Sequence, residues 1–137
     1  MSKLTGVIET ALYVADMERA VKFYKTLFEL ETLAFDDRFH ALSVADQQVL
    51  LLFRQGGSLS HTPLPGGIIP PHDGSGPVHV GFSIPRDSIQ EWESRLADHG
   101  IAVEGKVLWP RGGTSLYFRD PDGHLLEVLT PGVWRVF

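Results

Sequence analysis

The residue with the clearest chemical demand is Glu127, set in the run His124–Thr130 (HLLEVLT), where four of seven residues are Leu or Val. Directly after a turn, such a run reads as a strand with a buried face. An ionised carboxylate left there without a partner costs several kcal/mol or takes up a proton. Glu127 therefore needs a metal ion, an arginine or hydrogen-bond donors, unless its strand face is wet. Two other runs share this design. VHVGFSI, from Val78, puts Val78, Val80, Phe82 and Ile84 on one face and His79, Gly81 and Ser83 on the other. IETALYV, from Ile8, puts Ile8, Thr10, Leu12 and Val14 on one face and Glu9, Ala11 and Tyr13 on the other. Each offers one ligand-type side chain followed, two residues on, by a very small one, which leaves room above the sheet for a ligand.

The elements that must position these groups repeat. Asp16 caps a helical pattern with apolar positions at Ala20, Val21, Tyr24, Leu27 and Phe28. Asp87 opens another, with Ile89, Trp92 and Leu96 following and Gly100 as its C-terminal cap. Short strands come after each helix: 31–35, 40–44 and 49–53 in the first half, 103–108, 115–118 and 124–129 in the second. The chain thus reads βαβββ twice, an α+β tandem repeat. Module one covers about 6–55 and module two about 78–131, within one domain over 1–137. The Gly- and Pro-rich segment 56–77 joins them, and a connection this long inside a compact domain is usually functional or mobile. Its His61 and His72 are read as solvated loop residues, with gating or base chemistry as the alternative. His40, His99 and His124 are read as surface or strand-edge residues. DPDG (Asp120–Gly123) makes a type I turn whose work is to set the register that aims Glu127 inward.

The segments ETALYVADMERAVKFYKTLFEL and GPVHVGFSIPRDSIQEWESRLADHGI, closed by SLYFRDPDGHLLEVLTP, resemble the vicinal oxygen chelate superfamily. That superfamily includes glyoxalase I, the extradiol dioxygenases, the fosfomycin-modifying thiol transferases and the metal-free bleomycin-binding proteins. The resemblance runs from about Gly6 to Pro131 and implies paired βαβββ modules forming a curved, cup-shaped mixed sheet around a divalent metal. Carried over residue by residue, the metal ligands fall on Glu9, His79 and Glu127. The position of Glu9 is most often histidine, or glutamine in some glyoxalases. A further glyoxalase I ligand falls near Leu51, and leucine cannot ligate, which argues against an ordinary glyoxalase I site.

Two carboxylates and one imidazole suit Mn, Fe, Co, Ni or Zn. Three protein ligands leave positions open for water and substrate, as a catalytic site requires. Such a metal polarises two adjacent substrate oxygens in lyase, isomerase or oxygenase chemistry. Glu9 doubles as a base in this scheme and Tyr117 as an acid. Tyr13, Phe53, Trp109, Arg111, Ser115 and Tyr117 form the substrate-contact set; Ser115 and Tyr117 match residues that face substrate in the fosfomycin-modifying enzymes. Those enzymes carry histidine and threonine where this chain has Glu9 and Ala11, which weakens thiol transfer to fosfomycin as the activity. The other alternative is metal-free binding and sequestration of an antibiotic or similar apolar ligand.

Composition sets outer bounds. With 43% apolar and 21% charged residues, the chain has the make-up of an ordinary globular protein. A net charge of −5 without a basic run argues against nucleic acid and anionic membranes as partners. There is no cysteine, so thiolate ligation is excluded. No apolar run approaches the roughly 18 residues that span a bilayer, and no signal-peptide pattern is present, so a cytoplasmic location is expected. Superfamily relatives of this size are commonly dimers, so a homodimer acting on a small-molecule substrate is expected. The apolar C-terminal VWRVF is expected to pack against another surface, such as a second subunit.

Overall fold

The computed structural model describes all 137 residues. The order is β1 (Glu9–Val14), α1 (Met17–Phe28), β2 (Thr32–Phe35), β3 (Phe39–Val44), β4 (Gln48–Arg54), β5 (Thr62–Leu64), β6 (Gly67–Ile69), β7 (His79–Ser83), α2 (Ile89–Asp98), β8 (Gly105–Leu108), β9 (Thr114–Arg119) and β10 (Leu125–Leu129). The chain divides into two compact units, Met1–Ser75 and Gly76–Phe137. Most of the connecting segment folds with the first, where it supplies the small antiparallel hairpin β5–β6.

Unit 1 is a four-stranded mixed sheet, ordered β1-β4-β3-β2. β1 runs parallel to β4 with Glu9 opposite Val49, Ala11 opposite Leu51 and Tyr13 opposite Phe53. The alternation expected of IETALYV is present: Leu12 and Val14 are buried while Glu9 and Ala11 are exposed. α1 lies against β3 and β4, burying its Ala20, Tyr24 and Leu27, with Leu12, Leu42, Leu50 and Leu52 in the same core. Each fully buried leucine contributes roughly 1.5–3 kcal/mol. Asp16 caps α1 as expected, its side chain accepting from the Arg19 amide at 3.0 Å.

Unit 2 repeats the plan in the order β7-β10-β9-β8. β7 is parallel to β10, with Leu125 opposite His79 and Glu127 opposite Gly81. β9 is antiparallel on the other side, with Tyr117 opposite Glu127. Leu116, Phe118, Leu126, Val128 and Leu96 make the core on the face that α2 covers. Gly100, at φ 68°, ends α2 as expected, and its amide donates to Ala97. The N-cap differs: it is Ser88 rather than Asp87, and the Ser88 hydroxyl donates to Pro85 instead of capping the helix.

The DPDG turn closes with the Gly123 amide donating to the Asp120 carbonyl at 3.1 Å. Gly123 has φ 84°, a conformation that favours glycine. The Asp120 carboxylate accepts from the Asp122 and His124 amides and, at 2.7 Å, from His124 Nδ1. His124 is therefore not a surface residue; it is 1% exposed, paired with a buried aspartate and part of the device that launches β10. The C-terminal residues Trp134 and Val136 are exposed within the chain.

Candidate metal and substrate site

The outward face of the unit 2 sheet carries Glu127 with the groups nearest to it. Glu127 is 7% exposed and has His79 Nε2 at 3.1 Å from its Oε1. The other imidazole nitrogen, Nδ1, donates to the Leu125 carbonyl at 2.8 Å. A carbonyl can only accept, so Nδ1 holds a proton, and whenever the ring is neutral Nε2 presents a lone pair. A carboxylate is likewise an acceptor. Two acceptors this close require a shared proton or a cation between them. A backbone carbonyl behind the far nitrogen is also how metal-binding histidines are commonly oriented. These residues fit a divalent cation.

Gly81, between His79 and Ser83, keeps this face open. A Cβ there would stand 3.1 Å from Leu129 Cδ2 and 3.5 Å from Glu127 Oε1. Tyr117 lies beside the pair, its ring 6.0 Å from that of His79. Burial first, and then the negative charge of Glu127, push its pKa above the ordinary phenol value. Tyr117 is thus held as a phenol, suited to donating a hydrogen bond rather than to acting as a phenolate base. Ser115 is fully buried, and its hydroxyl accepts from the Trp109 indole at 2.8 Å. That bond fixes Trp109 over the strand next to Tyr117. Arg111 is exposed in the turn between β8 and β9.

Unit 1 holds the remaining members of the expected set. A cavity of about 550 Å³ opens on the face that carries Glu9, Ala11 and Tyr13, and Leu51 and Phe53 of β4 line it too. Leu51 sits opposite Ala11, an apolar patch where a glyoxalase I ligand would fall. The segment after β4 covers part of this face. His72, read from sequence as a solvated loop residue, instead lines the cavity, with Nδ1 2.7 Å from the Tyr13 hydroxyl. Its backbone is pinned by an amide bond to the Ser58 carbonyl at 3.0 Å. Tyr13 is also held as a phenol, its pKa raised by burial and then by Asp73. His72 has no periodic pattern around it, and its partner is 59 residues away. Its position after a Pro-Pro stop, in a loop long enough to fold back, was the available signal.

The structure therefore brings His79, Glu127, Tyr117 and Ser115 together in unit 2, with Trp109 bonded to Ser115. It brings Glu9, Tyr13 and Phe53 together in unit 1. The structure groups no three His, Asp or Glu side chains where they could hold one metal ion.

Residues 6–128 match the family model of the Glyoxalase/Bleomycin resistance protein/Dioxygenase superfamily. The chain belongs to that superfamily, and its fold is the family's α+β fold. It is 30% identical over 129 residues to a metallothiol transferase FosB of Shouchella clausii, covering 93% of this chain and 81% of the relative. A FosB of Bacillus licheniformis is 25% identical, with 97% and 80% covered. Among solved structures, a lactoylglutathione lyase from Agrobacterium tumefaciens superposes with a TM-score of 0.87 at 32% identity, over 98% of this chain and 99% of that one.

Proposed function

We propose that the protein is a divalent-metal-dependent enzyme acting on a small molecule with two adjacent oxygens, by lyase, isomerase or oxygenase chemistry. The observation that carries this is the His79–Glu127 pair: two acceptor atoms 3.1 Å apart, with the far imidazole nitrogen tied to a carbonyl. Glu9 is the proposed third ligand, since it holds on β1 the place that His79 holds on β7. Mn, Fe, Co, Ni or Zn suits the mixed N,O set. When bound, the ion supplies Lewis acidity toward the paired substrate oxygens.

The chain's own groups supply the rest. Tyr117, kept a phenol by burial and by Glu127, donates a hydrogen bond to substrate. Trp109, tied to Ser115, walls the same face, and the exposed Arg111 is a further substrate contact. Glu9, exposed at the edge of its sheet, is placed to take a proton when not fully committed to the metal. The exposed Ile8, Val78, Trp134 and Val136 favour a homodimer, in which Glu9 of either copy completes the ligand set. A cytoplasmic setting accords with a chain in which no helix is long and apolar enough to cross a membrane.

Relatives named metallothiol transferases favour one second reading, thiol transfer to fosfomycin, although Glu9 and Ala11 replace the histidine and threonine of those enzymes. The test is turnover of hemithioacetal, diketone and catechol substrates, and of fosfomycin with a thiol, under each metal in turn. His79→Ala should lower any metal-dependent rate by more than about 100-fold, since even partners behind metal ligands are worth about 10–100-fold. Turnover indifferent to this change sinks the proposal, and a rate confined to fosfomycin selects the second reading.

A further inference from the structure

The face of unit 1 on which Glu9 stands is built for a particular shape of ligand. Three aromatic rings lie side by side across three adjacent strands, because Phe39 of β3 and Tyr13 of β1 are both register partners of Phe53 on β4. Tyr13 stacks on Phe53 at 5.8 Å and 24°, and Phe39 lies 6.1 Å from Phe53 at 35°. Tyr13 and Phe39 thus pack on either side of Phe53, one stacked and one tilted, and make an aromatic cluster across the sheet face. The His72 ring meets Phe53 edge-on, at 4.5 Å and 79°. The cluster and the imidazole give the cavity an aromatic lining.

The polar groups restrict the ligand further. With the Tyr13 phenol donating to Nδ1, the other nitrogen of His72 carries a proton and can donate to a ligand oxygen. Arg38 is already engaged, donating to Thr62 at 2.8 Å and lying 3.8 Å from Asp36. Glu9 and Asp36 are the acidic members of the lining. An anion gains little here, whereas a neutral ring bearing an oxygen finds aromatic neighbours and the imidazole of His72. A volume of about 550 Å³ falls in the range of roughly 300–1,000 Å³ typical of pockets for drug-sized ligands.

We propose that this cavity selects a neutral, flat-ringed small molecule carrying a hydroxyl or carbonyl oxygen, with the Tyr13, Phe39 and Phe53 cluster making aromatic contact with the ring and His72 holding the oxygen. The inference rests on taking this face as the substrate side of the proposed enzyme, and it assigns the substrate class. Tyr13, Phe53 and His72 are then specificity-determining residues, and the segment after β4 is the element that sets specificity.

The test uses 2-naphthol against its saturated counterpart decahydro-2-naphthol, titrated by calorimetry into the full-length protein. Each has one oxygen and cannot chelate a metal, so the outcome does not depend on the metal site. General apolar affinity would not favour 2-naphthol, because the saturated ring is the more hydrophobic. Expected is binding of 2-naphthol tighter by about five-fold or more, the scale of one aromatic stacking contact. Phe53→Leu should bring the two to parity, with Phe39→Leu as the second variant if the first fails to fold. Tyr13→Phe should weaken 2-naphthol while leaving naphthalene unchanged. Parity or reversed preference in the wild type overturns the proposal, as does a preference that survives Phe53→Leu in protein with an unchanged melting curve. Bound metal without ring preference defeats this inference alone, and ring preference without metal defeats the proposed enzyme alone.

Discussion

Replacing Asp120 by alanine tests how the turn before β10 holds the strand that carries Glu127. The Asp120 carboxylate is nearly buried and accepts three bonds, from the Asp122 amide at 3.0 Å, the His124 amide at 2.9 Å and His124 Nδ1 at 2.7 Å. Hydrogen bonds to a charged group are worth about 1.5–3 kcal/mol each, but they share one acceptor and do not add in full. The change also leaves His124, 1% exposed, with a ring nitrogen that has lost its carboxylate. Removing one member of a buried pair typically costs about 3–5 kcal/mol, and that is the loss expected here. With a urea slope of about 2 kcal/mol per M, the unfolding midpoint should fall by roughly 2 M. Asp120→Asn, which keeps an oxygen for the two amides, should lose less than half as much. A double-mutant cycle with His124→Ala should show coupling of about 1–3 kcal/mol between the side chains. A loss below about 1 kcal/mol for Asp120→Ala, or no coupling, would refute the role given to this pair.

Two further outcomes follow from the same face of unit 2. Tyr117 should titrate above the ordinary phenol value of 10.0, and Glu127→Gln should bring it part of the way down, because burial, the larger cause, remains. Difference absorbance near 295 nm during an alkaline titration measures this, and an unmoved titration contradicts it. A raised folded pKa means that the phenol's contribution to stability is complete below the unfolded value and fades as pH rises through the folded one. Glycine positions separate packing from site effects. A Cβ on Gly113 would meet Gly132 and Val133 backbone atoms at 2.5–2.8 Å, so Gly113→Ala should cost about 2–3 kcal/mol in urea unfolding. A Cβ on Gly81 would press on the flexible end of Leu129 at 3.1 Å and touch Glu127 Oε1 at 3.5 Å, so Gly81→Ala should cost less than about 1 kcal/mol, yet lower metal occupancy by filling space beside Glu127.

What could be read in the sequence was local. Alternation of Glu9-Ala11-Tyr13 and of His79-Gly81-Ser83 needs only the two-residue period of a strand, and both faces appear as expected. The Asp16 cap and the Gly123 turn likewise depend on bonds spanning three residues. Less legible were groups whose partners lie far off or whose burial is decided by packing. His124 looks like a strand-start residue until Asp120 is seen turned back toward it. His72 looks solvated until the 56–75 segment is seen to fold onto unit 1. Ser88 displaced Asp87 as the cap of α2 because the chain before it turns through Pro85, a choice of one residue that composition does not signal.

Metal content of the purified protein tests the central claim most directly. After dialysis against Mn, Fe, Co, Ni and Zn in turn and removal of free ion, elemental analysis should find close to one ion per chain with at least one of them. Glu127→Ala and His79→Ala should each lose it while keeping the wild-type fold by circular dichroism. Wild-type protein holding no more metal than the Glu127→Ala variant, under every one of the five ions, would contradict the account.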